Sequence, residues 1–162
     1  MDPAIAAPYA CSGLTAFSAL KKIPETSSDD WIIVIGAGGV GINGILLSSA
    51  VHKAKVLVID KDKEKREKAI EAGAAEAFSP EDSENIRNII GIGAAAAIDF
   101  VGMPETTDLG LSLVKKGGMV VVVGLYGGSL KMSLPLIPMR STILRGSYVG
   151  ELRELTVSYT HL

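Results

Sequence analysis

Residues 31–51 of this 162-residue chain contain no charged side chain, yet five glycines fall within them. An uncharged run of about 20 residues is long enough to be a membrane span. Here, however, Gly36, Gly38, Gly39, Gly41 and Gly44, with Asn43, Ser48 and Ser49, divide the run into unlike parts. Trp31 to Ile35 is a β-branched run, a glycine turn follows, and Val40 to His52 has apolar residues at helical spacing. A buried strand that turns sharply into a helix is expected, rather than a membrane helix.

The turn itself, Gly36-Ala37-Gly38-Gly39-Val40-Gly41, fits G-x-G-x-x-G. The first glycine permits the sharp turn, the second lets a diphosphate approach the backbone, and the third lets helix and strand pack closely. The N-terminus of the helix adds unpaired N–H groups and the positive end of its dipole. Asp60 closes the next apolar run 19 residues after Gly41, where the dinucleotide fingerprint places an acid about 20 residues on. A carboxylate there accepts hydrogen bonds from a ribose diol and repels a 2′-phosphate, so NAD is expected rather than NADP. Lys61, Lys63 and Lys65 sit close enough to soften that repulsion; Lys61 and Lys63 also read as the solvated start of a helix.

The same alternation of short apolar runs and helical patterns extends through most of the chain. Expected strands are Trp31 to Ile35, Val56 to Ile59, Ala74 to Phe78, Ala95 to Val101, Met119 to Val123 and Thr142 to Tyr148. Helices are expected at Ala10 to Lys22, Val40 to His52, Asp62 to Ala72, around Ile86, Ile89 and Ile90, and behind Pro104 through Leu109, Leu111, Leu113 and Val114. Gly124 to Ser141 reads as a long loop with one helical turn, a length that is often functional. This is the pattern of an α/β fold: a doubly wound, six-stranded, mostly parallel sheet of the Rossmann kind. Residues 30–155 are expected to form the dinucleotide-binding domain, and residues 1–29 an incoming helix and linker.

Composition narrows the function. With 16 basic and 18 acidic side chains the net charge is −2, too little positive field to hold nucleic acid or an anionic membrane. No secretory leader is visible at the N-terminus, and the single cysteine, Cys11, agrees with a reducing compartment, so a cytoplasmic location is expected. Taken by residue type alone, Cys11 is a small buried hydrophobe, and His52 and His161 are surface residues.

The segment Ala6-Ala7-Pro8-Tyr9-Ala10-Cys11-Ser12-Gly13-Leu14-Thr15-Ala16, followed in order by IGAGGVG, VIDKDKEK, DFVG, VVVVGLYGG and LRGSYVG, resembles the nucleotide-binding domain of the zinc-type, medium-chain alcohol dehydrogenases. The resemblance covers nearly the whole chain. It implies that Cys11 is one of three protein ligands of a catalytic zinc and that Thr15 lies against the nicotinamide. Gly39 and Val40 would sit under the diphosphate, with Asp60 and Lys65 on the adenosine ribose. Val101 and Gly102 would line the cleft, Val123, Gly124 and Leu125 would meet the carboxamide, and Ser147 and Val149 would add main-chain contacts. It further implies a homo-oligomer joined through the sixth strand.

A catalytic zinc needs three protein ligands and an open position, and this sequence offers one thiol. The chain is therefore expected to be a fragment of an enzyme that passes hydride from a primary or secondary alcohol to NAD, with a small alcohol or carbonyl compound as substrate. Two other readings stand beside it: a zinc-free relative of the quinone reductases, and a nucleotide-binding module without turnover. Residues 156–162 do not resemble the helix expected after a sixth strand and read as a non-native tail.

Overall fold

The computed structural model describes residues 7–151 together with 153 and 154. After a 3-10 turn at Ala7–Ala10, the elements run α1 (Ser12–Lys21), β1 (Trp31–Ile35), α2 (Gly39–Val51), β2 (Lys55–Ile59), α3 (Lys63–Glu71) and β3 (Glu76–Phe78). They continue with α4 (Ser83–Ile90), β4 (Ala94–Asp99), α5 (Pro104–Leu113), β5 (Val114–Val122), α6 (Leu136–Arg140) and β6 (Ile143–Gly146). All strand pairs are parallel, and the order is β3-β2-β1-β4-β5-β6. The chain builds outward from β1 through β2 to β3, then returns to lay β4 on the other flank of β1. That reversal leaves a crevice at the carboxyl ends of β1 and β4, the place where open α/β sheets bind ligands.

Successive strand residues point to opposite faces, and β1 shows the result. Ile32 belongs to a cluster with Phe17, Leu20, Leu47, Ile98 and Val121, while Ile33 and Ile35 pack with Leu57, Ile86, Leu113 and Val120. Both faces are covered, which explains why the strands read as continuous apolar runs. The helix α1 is an integral part of one layer: Leu14, Ala16, Phe17, Ala19 and Leu20 are all buried. Each large aliphatic side chain so buried contributes about 1.5–3 kcal/mol. Local signals set the helix starts. The Asp62 side chain accepts from Glu64 N–H at 2.9 Å and Lys65 N–H at 3.4 Å, an N-cap for α3, and Pro104 opens α5.

Val114 does not extend a helix; it begins β5, which pairs with β4 at Ala94↔Val114 and resumes at Ala96↔Met119. The intervening Lys115 to Gly118 bulges outward, and Lys115 Nζ reaches Asp30 Oδ1 at 2.6 Å. Two lysines and two glycines in that segment hide the strand from a hydropathy reading. The third strand begins at Glu76 rather than Ala74, the fourth ends at Asp99 rather than Val101, and the sixth is confined to Ile143–Gly146. His52 is buried, with Nε2 at 2.9 Å from the Leu20 carbonyl and Nδ1 at 3.4 Å from Thr26 Oγ1. It joins the end of α1 to the end of α2. Cys11 is exposed, because it caps the start of α1 instead of entering its apolar face. His161 and the tail 156–162 lie outside the described residues. Among the described residues no helix is long and apolar enough to cross a membrane.

Candidate functional site

The crevice is built from the carbonyl of Gly36 outward. Gly36 has φ +90°, a left-handed conformation that only glycine adopts readily, and its N–H donates to Ile59 O at 2.9 Å. A Cβ on Gly41 would lie 1.9 Å from the Gly36 oxygen. The first turn of α2 thus packs against the end of β1 with no room for a side chain. At Gly38 and Gly39 the situation is reversed: a Cβ there would meet nothing within 4 Å. Those two residues face open space beside a helix N-terminus, whose first N–H groups have no partner inside the helix.

Asp60 closes one side. It is 8% exposed, its Oδ2 accepts from Ala37 N–H at 2.8 Å and its Oδ1 accepts from Asp62 N–H at 2.9 Å. Each oxygen keeps a further lone pair, because an ionised carboxylate accepts about four hydrogen bonds. Behind it, Arg66 Nη1 donates to the carbonyls of Asp60 at 2.7 Å and Lys61 at 3.0 Å, fixing the bend between β2 and α3.

The opposite side comes from β4 and β5. Val123 and Gly124 N–H groups both donate to the Asp99 carbonyl, at 2.9 and 3.0 Å. A Cβ on Gly102 (φ +75°) would lie 2.0 Å from Gly124 O, so the turns after β4 and β5 touch backbone to backbone. Tyr126 N–H donates to Val101 O at 3.3 Å, carrying the Tyr126 ring to the rim.

Together these segments enclose a cavity of about 330 Å³. Of the residues singled out from sequence, it gathers Gly36, Gly38, Gly39, Val40, Gly41, Asp60, Lys65 and Val101. Gly102, Gly124 and Leu125 line a neighbouring cavity of about 340 Å³ instead. Val123 is buried in the core, Ser147 is buried with its hydroxyl unpartnered, and Val149 has φ +51°. Thr15 Oγ1 donates to the Cys11 carbonyl at 2.7 Å. Phe100 and Tyr126 also line the first cavity and escaped the sequence reading; Phe100 packs against Gly44, whose Cβ would lie 3.0 Å from its ring.

Chemically, the arrangement offers backbone N–H groups at a helix start for an anion and, about one strand away, a fixed carboxylate that accepts from hydroxyls. A diphosphate joined to a ribose satisfies both. The residues do not complete a metal site: Cys11 supplies one thiol, and among the described residues no three His, Cys, Asp or Glu side chains gather where an ion could be held.

The fold and crevice define a dinucleotide-binding domain of the doubly wound type. Residues 39–159 match the model of a family described as zinc-binding dehydrogenase. An NAD-dependent alcohol dehydrogenase of Sulfurisphaera tokodaii is 35% identical over 149 residues, covering 90% of this chain and 43% of that protein. A D-arabinose 1-dehydrogenase (NADP(+)) of Saccharolobus solfataricus is 33% identical over 162 residues, covering 96% and 46%. Among solved structures, an alcohol dehydrogenase from Aeropyrum pernix superposes with a TM-score of 0.90 at 29% identity, covering 96% of this chain and 46% of that one. The chain belongs to the zinc-binding dehydrogenase family. It spans less than half the length of these relatives.

Proposed function

We propose that this chain is the NAD-binding part of an alcohol dehydrogenase that passes hydride from a primary or secondary alcohol to NAD with the assistance of zinc. The observation that carries the reading is the Asp60 carboxylate, fixed at the rim of a glycine cradle with a lone pair on each oxygen still available. Gly38, Gly39 and the start of α2 hold the diphosphate, Asp60 accepts from the adenosine ribose, and Lys65 flanks it. The remaining half of the cofactor extends over the ends of β4 and β5, toward Val101, Gly102, Val123, Gly124 and Leu125, with Thr15, Ser147 and Val149 beside it. NAD supplies the hydride acceptor; the chain supplies binding and orientation. Cys11 would provide one zinc ligand, and among the described residues no further ligands gather with it.

Catalysis requires the reacting carbon to be held against the nicotinamide, so these 162 residues alone bind cofactor without turning over alcohol. The exposed thiol of Cys11 favours a zinc-dependent parent over a zinc-free, quinone reductase-like one, since a ligating sulfur must be reachable. A second copy of the chain is the partner that the edge strand β6 fits: Ile143 and Leu144 are 44% and 46% exposed, and among the described residues β6 ends the sheet. Residues 30–155 act as the binding domain, in the cytoplasm.

Calorimetric titration of the chain with NADH tests the reading. Saturable binding that persists with ADP and is weakened by Asp60→Ala supports it. An absence of heat with folded protein and excess NADH overturns it.

A further inference from the structure

We infer that Asp99 is the positioning residue for the half of the cofactor that lies beyond the diphosphate, an inference that rests on the NAD reading above. Asp99 ends β4, the strand next to β1 in the sheet, and it is fully buried at 0% exposure. Its Oδ1 accepts from the N–H groups of Val101 and Gly102, both at 2.9 Å. Its Oδ2 accepts from Thr106 Oγ1 at 2.9 Å and Thr107 Oγ1 at 2.7 Å, on the first turn of α5. The four donors are uncharged. A carboxylate excluded from water in this way keeps its place only when its lone pairs are met, and here they are.

The main chain of the same residue holds a second turn, because the Asp99 carbonyl accepts from Val123 and Gly124. One residue therefore fixes the backbone after β4 with its side chain and the backbone after β5 with its carbonyl. Those two turns meet at the Gly102–Gly124 contact, where no side chain fits. A shift of Val101-Gly102 consequently moves Gly124 as well. The adenosine and diphosphate, in contrast, rest on β1 and β2, through Gly38, Gly39 and Asp60. Asp99 is paired with Ile35 across the sheet, but its side chain bonds to none of Gly38, Gly39 or Asp60; only Val101, of the residues it tethers, also borders their cavity.

The division of labour gives a test with two ligands. NADH spans both halves of the crevice, while ADP spans only the β1–β2 half. In the full chain, Asp99→Ala is expected to raise the NADH dissociation constant about 10-fold or more and that of ADP by a clearly smaller factor, since of the two amides its carboxylate holds only Val101 borders the cavity of Gly38 and Asp60. Asp99→Asn is expected to recover most of the loss, since its carbonyl still accepts from Val101 and Gly102 while the threonine hydroxyls turn to accept from its amide. If Asp99→Ala does not fold, Thr106→Val with Thr107→Val removes two donors and leaves the carboxylate in place; it is expected to show the same selective loss at about threefold. Equal weakening of both ligands, or no weakening of either, in any folded variant overturns the positioning role. Failure of the unaltered chain to bind ADP or NADH overturns the cofactor reading itself, a result distinct from either.

Discussion

The Asp60 carboxylate and the Ala37 amide, 23 residues apart, are joined by a 2.8 Å hydrogen bond that ties the end of β2 to the middle of the glycine turn. Residues assigned to different parts of one ligand are thus part of one another's support. Asp60→Ala removes an acceptor from two backbone donors and, in the proposed complex, from the ribose. A hydrogen bond to a charged group is worth about 1.5–3 kcal/mol, so NADH affinity is expected to fall roughly 10- to 100-fold. The preference for NAD over NADP collapses with it, because the charge that repels a 2′-phosphate is gone. Parallel titrations with NADH and NADPH read both effects; an unchanged ratio contradicts the assignment.

The glycines of the turn separate by role. Gly41→Ala forces a methyl to within 1.9 Å of the Gly36 carbonyl, and overpacking of this kind costs about 1–3 kcal/mol or more, visible as a lower midpoint in urea. Gly38→Ala meets nothing within 4 Å and its backbone, with φ −74°, suits alanine. It is expected to unfold like the unaltered chain while binding NADH and ADP more weakly. A Gly38→Ala variant that binds both normally would remove the diphosphate from this position.

Asp30 and Lys115 predict a pH dependence. The Lys115 ammonium and the Ser27 N–H beside Asp30 hold its carboxyl down at about 2. A carboxyl lowered on folding stabilises the native state above its unfolded value, near 3.9, and loses that contribution as the pH falls through about 2. The pair is partly solvated, with side chains 35% and 21% exposed, which leaves about 1 kcal/mol. Lys115→Met should therefore lower stability by about 1 kcal/mol at pH 7 and by nearly nothing at pH 2. Urea unfolding at the two pH values makes the comparison.

The edge strand predicts a change in association. Ile143 and Leu144, on β6, and Leu136, Ile137 and Met139, on the preceding α6, are all more than 40% exposed. Exposed apolar side chains on an edge strand are a ready surface for pairing with another chain. Ile143→Lys, at a strand position that lines neither cavity of the crevice, is expected to shift the chain toward monomer in sedimentation velocity without altering NADH affinity. A monomeric unaltered chain at micromolar concentration would contradict a contact at β6.

The placement of Asp60 beside the glycine turn was readable in the sequence because it depends on spacing: one strand, one helix and a second strand bring residue 60 beside residue 37 whatever the side chains between. The same holds for the switch from strand to helix at Gly36. Asp99 carries an equally plain signal, a carboxylate ending the apolar run Ala94–Ile98, but its partners Thr106 and Thr107 lie on the next helix and only the tertiary structure unites them. His52 misleads for a similar reason. Its burial is decided by Leu20 and Thr26, neither of which is near it in sequence. Strand order is likewise a property of connections rather than composition, and the register shift at Lys115–Gly118 is accompanied by a contact from Lys115 to Asp30, 85 residues back.

The clasp between Asp60 and the glycine turn also bears on how quickly a ligand is captured. Since the Ala37 peptide is already oriented by a neighbouring strand, an arriving dinucleotide encounters a ready-made receptacle and little loop rearrangement accompanies docking. Capture should then be fast and governed by diffusion, and affinity differences among variants of this lip should surface as altered residence times.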